Sequence, residues 1–186
     1  MNFAEYNVKD ANLEEILLAL KSLDTVEAVA LGGSRSTGAS DENSDYDIYV
    51  YCAEIPTAET RENLLGKYCS IAEFGNHYWE SEDNTVMNNG TPVDIIYREV
   101  DRFDRYIDTV IKGGKAFNGY TTAFWHNIKN SKVLFDKTGT FTKFRDMAQI
   151  DFPENLRSAI IKNNRNLLNG KLPSYDRQIK KAQERG

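Results

Sequence analysis

Residues 31–51, LGGSRSTGASDENSDYDIYVY, constrain the fold of this chain more than any other stretch. A hydrophobic run ends there in two glycines, and a polar loop then leads to a second hydrophobic run that begins with two aspartates. Because glycine has no Cβ, the backbone at Gly32 and Gly33 is free to adopt positive φ and to approach a ligand closely. The N–H groups of such a turn, together with the Ser34 hydroxyl, suit a phosphate. The pattern predicts two strands joined through a phosphate-binding turn.

The two aspartates, Asp45 and Asp47, stand at the start of the second strand. Side chains alternate along a strand, so both carboxylates point to one face while Tyr46 and Ile48 point to the other. The strand rise separates the carboxylates by roughly 6.6 Å, which suits one Mg²⁺ or a closely spaced pair of ions. The alternative interpretation is that they are solvated residues where a strand begins.

A third carboxylate, Asp94, interrupts the hydrophobic segment 92–97, which follows a hairpin signal at Asn89 and Gly90. An aspartate among β-branched neighbours is costly to bury unless a partner compensates its charge. A metal ion or a substrate hydroxyl would compensate it, and so would a backbone amide in a structural role. We therefore expect Asp94 to be either a site residue or a structural carboxylate.

These motifs resemble those of the nucleotidyltransferase superfamily, which has the DNA polymerase beta-like fold and includes aminoglycoside and lincosamide nucleotidyltransferases. The family pattern is a hydrophobic residue, Gly with Gly or Ser, a polar segment, and then Asp-hydrophobic-Asp-hydrophobic. In this chain ten residues separate Ser34 from Asp45, and Arg35 and Gly38 extend the first motif. The segment 93–95 matches the setting of the family's third acidic residue. The resemblance covers residues 10–140.

The resemblance implies a metal-dependent nucleotidyl transfer, with an NTP as substrate and two Mg²⁺ ions as cofactor. The catalytic and metal-binding residues would be Asp45, Asp47 and Asp94. The nucleotide-binding residues would be Gly32, Gly33, Ser34 and Arg35. Two roles stay open at this point, since Asp94 would be either a metal ligand or the general base, and Arg35 either a phosphate contact or a surface cation.

The order of elements predicts an α/β (α+β) fold, in which a short mixed β-sheet is flanked by helices and followed by a helical C-terminal segment. Strands are predicted at 26–31, 47–52, 78–87, 92–97 and 131–136, with 78–87 as an edge strand. Helices are predicted after Asn12, from a cap at Thr57, and over 101–111 and 141–150. The sequence pattern changes near residue 150, and we place a domain boundary there. It separates a nucleotidyltransferase domain, 1–150, from a helical segment, 151–186. This segment would be the start of a truncated helical domain.

Composition limits the remaining possibilities. The formal charge of −5 disfavours a non-specific nucleic-acid binder, which needs many lysines and arginines to neutralise phosphates. No apolar run is long enough to span a membrane and the N-terminus has no targeting pattern, so we expect a cytoplasmic protein. Cys52 and Cys69 are expected to be free thiols. His77 and His126 have aromatic neighbours and are expected to pack against them.

The acceptor is not encoded in these motifs. A small hydroxylated molecule, such as an aminoglycoside or lincosamide antibiotic, is favoured by the acidic charge and by the resemblance of GGSRSTG to resistance-type enzymes. The alternatives are an antitoxin-like minimal nucleotidyltransferase that binds or modifies a partner protein, and an RNA-directed enzyme, which the lack of a basic tail disfavours. Because the charged stretch 175–186 has only a thin apolar stripe, we also expect either a longer natural protein or a homodimer.

Overall fold

The computed structural model describes residues 10–41, 44–117, 121–169 and 174–185. Most of the N-terminal stretch inspected above for a targeting pattern lies outside those ranges. The helices are α1 (Ala11–Lys21), α2 (Gly33–Thr37), α3 (Ala58–Leu65), α4 (Val100–Ile107), α5 (Ala123–Asn130), α6 (Thr140–Ala148), α7 (Glu154–Asn169) and α8 (Tyr175–Arg185). The strands are β1 (Val26–Leu31), β2 (Tyr46–Cys52), β3 (Cys69–Asn76), β4 (Ser81–Met87), β5 (Pro92–Glu99) and β6 (Lys132–Asp136).

The strands form one mixed sheet of six, in the order β3-β4-β5-β2-β1-β6. β2 and β5 run parallel, and their register sets Asp47 opposite Asp94. The other neighbouring strands pair antiparallel. This mixed sheet, flanked by helices and followed by helical C-terminal residues, confirms the predicted fold class. The parallel pair also brings the carboxylates of two distant sequence motifs to the same end of the sheet.

One face of the sheet is covered by α1, whose apolar stripe is buried in the main hydrophobic core with side chains of β1, β2 and β5. Asp10 caps this helix, because its carboxylate accepts from the N–H groups of Asn12 at 3.0 Å and Leu13 at 3.4 Å. The predicted helix is confirmed, although its expected start after Asn12 is late. Asp10, and not Asn12, is the capping side chain.

The opposite face carries an aromatic cluster. The ring of Tyr51 packs edge-on against Phe103 of α4 and Phe141 of α6, with centroid distances of 5.5 and 5.4 Å. Alternation along β2 puts Asp47 on this same face, while Ile48 points into the core under α1. The face that carries the predicted catalytic carboxylates is therefore the one covered in part by α4 and α6.

The prediction of an edge strand at 78–87 is wrong. β4 lies between β3 and β5, and β3 is the edge strand. The carboxylate of β4 is paired with neighbouring elements inside the protein: Asp83, at 0% exposure, accepts two hydrogen bonds of 2.9 Å from Arg61 of α3 and one of 2.8 Å from the Gly75 N–H of β3. Polar alternation here reflects a buried ion pair and not contact with solvent.

Three elements, α2, β3 and α5, have no counterpart among the predictions, and α2 is a five-residue helix where the sequence predicts a turn. β3 exposes most of its side chains, so it lacks the apolar alternation that marks a strand. α5 has only eight residues, too few for helical spacing to stand out. The helix capped by Thr57 is confirmed as α3, where the Thr57 hydroxyl accepts from the Thr60 N–H at 3.2 Å.

The chain divides into two compact units, each described by itself. One comprises Met1–Asp104 and His126–Gln149 and contains the sheet. The other comprises Arg105–Trp125 and Ile150–Gly186. Within the second unit the rings of Trp125 and Phe152 stack with centroids 5.3 Å apart, and Asn163 Nδ2 donates to the Ala116 carbonyl at 3.0 Å. The domain boundary near residue 150 stays a prediction.

Two further observations concern the described residues as a whole. Among them, no helix combines the length and the apolar character that crossing a membrane requires. Cys52 is buried and Cys69 half-buried, and both are free thiols as predicted. Burial raises the pKa of the Cys52 thiol to about 12, so this thiol stays protonated and unreactive.

Candidate active site

The turn predicted to bind phosphate lies directly against Asp47. The Gly32 N–H donates to the Asp47 carbonyl oxygen at 2.8 Å. Gly33 has a φ of +60°, and a Cβ added to it would lie 1.7 Å from Asp47 Oδ2. Only glycine meets both the backbone conformation and this close approach. The glycine turn and the aspartate motif, which are separate in the sequence, are therefore in contact at the N-terminal end of α2.

The three predicted catalytic aspartates interact electrostatically. Asp47 and Asp94 are register partners on parallel strands, and Asp45 precedes β2. Burial, followed by the negative charges of Asp45 and Asp94, raises the pKa of Asp47 from 3.8 to about 6. Like charges this close disfavour ionisation, so the cluster is arranged to gain free energy from a bound cation.

The carboxylates fit Mg²⁺ by their chemistry, since Mg²⁺ prefers oxygen ligands and is commonly bound through one or two carboxylates together with substrate phosphates. Within the described ranges, no group of three or more His, Cys, Asp or Glu side chains is placed so that it could hold a metal ion. Two features favour a cation here: Asp47 and Asp94 are register partners, and the pKa of Asp47 is raised first by burial and then by the charges of Asp45 and Asp94. Asp45, Asp47 and Asp94 stay the predicted ligands, and Asp47 with Asp94 is the pair that the strand register brings together.

Asp94 is the first residue of a polar surface that continues across the sheet. Asn84 Nδ2 donates to Asp94 Oδ1 at 2.9 Å, and Asn76 Nδ2 donates to Asn84 Oδ1 at 2.7 Å. Burial, with the charges of Asp94 and Glu80, raises the pKa of Glu82. The amide of Asn84 fixes one oxygen of Asp94, and negative charge extends from the aspartates toward β4.

Arg35 holds the backbone that precedes β2. Its Nε donates to the carbonyls of Ser44 at 3.1 Å and Asp45 at 2.9 Å, and its Nη2 also donates to the Ser44 carbonyl. The guanidinium lies 4.1 Å from the ring centroid of Tyr46, which points to the face of β2 opposite Asp47. In this arrangement Arg35 positions Asp45, and its predicted contact with the nucleotide stays a prediction.

Tyr49 and Asn127 belong to the site, although no sequence motif marks them. A Cβ added to Gly32 would lie 2.4 Å from Tyr49 Cε2, so the phosphate turn rests on this ring. Asn127 Nδ2 donates to the Tyr49 hydroxyl at 2.8 Å. Burial raises the pKa of Tyr49 to about 12, so the phenol keeps its proton. Strand alternation predicts that Tyr49 shares the face of Asp47, but its partner on α5 has no local signal.

A cavity of about 190 Å³ lies beside the phosphate turn. It is lined by residues of α2 and α5, among them Gly33, Ser34, Thr37, His126, Asn127 and Asn130. His126, expected to pack against its aromatic neighbours, is exposed and lines this cavity. Ser34, predicted to contact phosphate, lines it as well.

The family to which the chain belongs follows from the match of its sequence to a known domain. Residues 13–117, more than half of the chain, match the nucleotidyltransferase domain family. The matched region includes the phosphate turn and the three aspartates. The chain therefore belongs to the nucleotidyltransferase domain family, and the enzyme is a nucleotidyltransferase. A comparison with curated proteins found no significant match.

Among solved structures, the fold is similar to a toxin–antitoxin crystal structure with AMP-PNP, at 20% identity and a TM-score of 0.46. That similarity covers 81% of this chain and 96% of the other. It is also similar to Cid1 in complex with its short product ApU, at 18% identity and a TM-score of 0.37, covering 54% of this chain and 34% of the other. Neither similarity is close enough to carry an argument about function.

Proposed function

We propose that this protein transfers a nucleoside monophosphate from an NTP to a hydroxyl group of a small-molecule acceptor, with Mg²⁺ as cofactor. One observation carries the proposal: the Gly33 backbone lies against the Asp47 carboxylate, whose register partner is Asp94. A phosphate-binding turn in contact with a carboxylate pair is the arrangement that phosphoryl chemistry requires, since positioning and charge neutralisation supply most of the catalysis.

The residues of the site have different roles in this reaction. Gly32, Gly33 and Ser34 bind the phosphates, so that the α-phosphorus is held near the aspartates. The acceptor hydroxyl forms a bond to that phosphorus as the bond to the pyrophosphate oxygen breaks. Asp94 either receives the hydroxyl proton as general base or completes the metal site with Asp45 and Asp47. Mg²⁺, when bound, neutralises the charge that develops on the attacking and leaving oxygens.

The charge around Asp94 supports a cationic small molecule as the acceptor. Negative charge continues from Asp94 to Glu82 on the same side of the sheet, where burial and then the charges of Asp94 and Glu80 raise the pKa of Glu82. Glu80 itself is paired with Arg98 at 2.7 Å, so Asp94 and Glu82 are the carboxylates that remain for a cation. An acidic surface attracts amines and repels a polyanion. This favours an aminoglycoside, which carries amines and hydroxyls, and it disfavours an RNA acceptor.

A second candidate is an antitoxin-like enzyme that binds or modifies a partner protein. The observation that favours it is the edge strand β3, where Ile71 is 65% exposed and the adjoining Tyr78 and Trp79 are 73% and 77% exposed. Exposed apolar side chains beside a sheet edge are a common protein-binding arrangement. In this case the acceptor hydroxyl would belong to a protein side chain.

The test is to incubate the protein with each of the four NTPs, labelled at the α-phosphate, with Mg²⁺ and separate pools of aminoglycosides, lincosamides, RNA and proteins. Label on an aminoglycoside or lincosamide is the expected result. Label on a protein would establish the second candidate instead. Label on RNA alone would contradict both, and Asp47→Asn is the control that must lose the transfer.

A further inference from the structure

The cavity between α2 and α5 has a composition unlike that of the carboxylate cluster. Among the residues that the structure describes, its lining consists of glycine, serine, threonine, histidine and asparagine, with no carboxylate and no large apolar side chain. Hydroxyls, amides and an imidazole can all donate hydrogen bonds. A nucleobase favours an aromatic or apolar surface on which to stack, and an amine favours carboxylates. A ligand rich in anionic oxygens suits this lining best.

The cavity opens on the same face of the sheet as the catalytic carboxylates. Gly33 belongs to its lining and also lies against Asp47 Oδ2. On the other side, Asn127 is held by the hydroxyl of Tyr49, which shares the face of Asp47 along β2. A ligand that extends from Asp47 past Gly33 therefore enters this cavity.

The hydrogen bonding of His126 leaves it a donor. Asn130 Nδ2 donates to the His126 carbonyl at 2.8 Å and lies 3.2 Å from His126 Nδ1. With the Asn130 amide nitrogen as donor, Nδ1 accepts, so the proton of the neutral imidazole resides on Nε2. In that tautomer Nε2 carries the N–H that His126 would donate to an anionic ligand.

We propose that α5 is the second wall of the triphosphate site, and that His126 and Asn127 bind the β- and γ-phosphates of the NTP while Asn130 holds the His126 imidazole in position. Gly33 and Ser34 form the first wall. The proposal rests on the proposed nucleotidyl transfer, and it adds binding residues that lie outside the matched domain region, which ends at residue 117. Their position explains how the leaving pyrophosphate would be held away from the acidic surface around Asp94.

The test uses the full chain with Mg²⁺ and compares calorimetric affinities for inorganic tripolyphosphate, AMP and each of the four NTPs, ATP among them. His126→Ala should weaken tripolyphosphate and ATP binding about tenfold, the size of one charge-assisted hydrogen bond, and leave AMP binding within about twofold. The control is His77→Ala, because His77 is the other of the two histidines, is exposed and lies outside the cavity lining. It should bind all ligands like the wild type. His126→Gln, which keeps a donor, should recover part of the loss.

Each other outcome is decisive. Unchanged tripolyphosphate affinity in His126→Ala overturns the assignment of α5 to the phosphates. Equal losses of affinity for ATP and AMP would mean that the cavity holds the nucleoside. That result would also overturn the assignment of α5 to the phosphates. If the wild-type chain bound none of the four NTPs, the proposed nucleotidyl transfer itself would be wrong, whereas wild-type binding with an unaffected variant would refute only the role of α5.

Discussion

The contact at the centre of the site is between the backbone of Gly33 and the carboxylate of Asp47. It is possible because glycine has no side chain. We predict that Gly33→Ala costs stability through its positive φ, about 1 to 2 kcal/mol, and also displaces Asp47, since the new Cβ would lie 1.7 Å from Oδ2. Transfer activity should fall at least about a hundredfold, as expected for a catalytic group moved by about 1 Å.

Gly38→Ala is the matched control for this change. Gly38 has a φ of +79°, but a Cβ there would meet nothing within 4 Å. Gly38→Ala should therefore lose a similar amount of stability, because of the positive φ, and keep most of the activity. Thermal melts and labelled transfer measured on both variants separate the two effects. Equal activity in the two variants would disprove the role assigned to the Gly33 contact.

Asp47 gives the site a pH-dependent stability. Its folded-state pKa of about 6 lies above its ordinary value of 3.8, so the folded protein binds its proton more tightly than the unfolded chain does. The stability that this proton contributes is present below about pH 4 and is lost as the pH rises through about 6. In metal-free buffer at neutral pH, Asp47→Asn should therefore melt higher than the wild type.

The expected gain is about 1 kcal/mol, because solvent screens a carboxylate that is only half-buried, or roughly 2–4 °C in the melting temperature. The gain should vanish near pH 4, and added Mg²⁺ should stabilise the wild type more than the variant. A variant that melts lower than the wild type in metal-free neutral buffer would show that Asp47 is held by a favourable partner and not by repulsion.

At the scale of residues, local spacing predicts which groups are candidates for the site. Asp47 and Asp94 stand in recognisable strand contexts and the parallel register brings them together, whereas Asp45 precedes β2; the roles of all three stay predictions. Tyr49 and Asn127 could not be found in this way. Their role arises from a hydrogen bond between residues 78 positions apart, which leaves no local pattern.

At the scale of elements, the segment between α2 and β2 depends on Arg35. Its guanidinium donates to the carbonyls of Ser44 and Asp45, and so sets the backbone of a predicted metal ligand. We predict that Arg35→Ala lowers kcat about tenfold, equal to ~1.4 kcal/mol, with NTP affinity within about threefold. Calorimetry and steady-state kinetics distinguish this positioning role of Arg35 from a contact with the nucleotide. A nucleotide contact would require a large loss of NTP affinity in the variant.

The elements differ in how far the sequence could predict them, and burial explains the difference. The strands with continuous apolar runs, β1, β2 and β5, are where they were expected. The polar, alternating pattern of 78–87 predicts an edge strand for β4, whereas in the structure Arg61 compensates the charge of Asp83 inside the protein. The helix α5 is too short for a periodic signal, so the second wall of the cavity was missed with it.

At the scale of the whole molecule, the net charge of −5 and the carboxylates beyond Asp94 should steer the choice of acceptor. We predict that kcat/KM for a cationic acceptor falls about threefold to tenfold as salt rises from low concentration to about 0.5 M. Glu82→Gln should reduce both kcat/KM at low salt and this dependence. Insensitivity to salt would contradict an electrostatic role for the surface, and a neutral acceptor provides the control.

The most direct test of the central claim compares ATP labelled at the α-phosphate with ATP labelled at the γ-phosphate, in the presence of Mg²⁺ and the acceptor found by screening. Nucleotidyl transfer predicts that the α-label becomes attached to the acceptor while the γ-label is released as pyrophosphate. Asp47→Asn should lose both signals together. Attachment of the γ-label to the acceptor would instead mean phosphoryl transfer, and it would contradict the function proposed for the contact between Gly33 and Asp47.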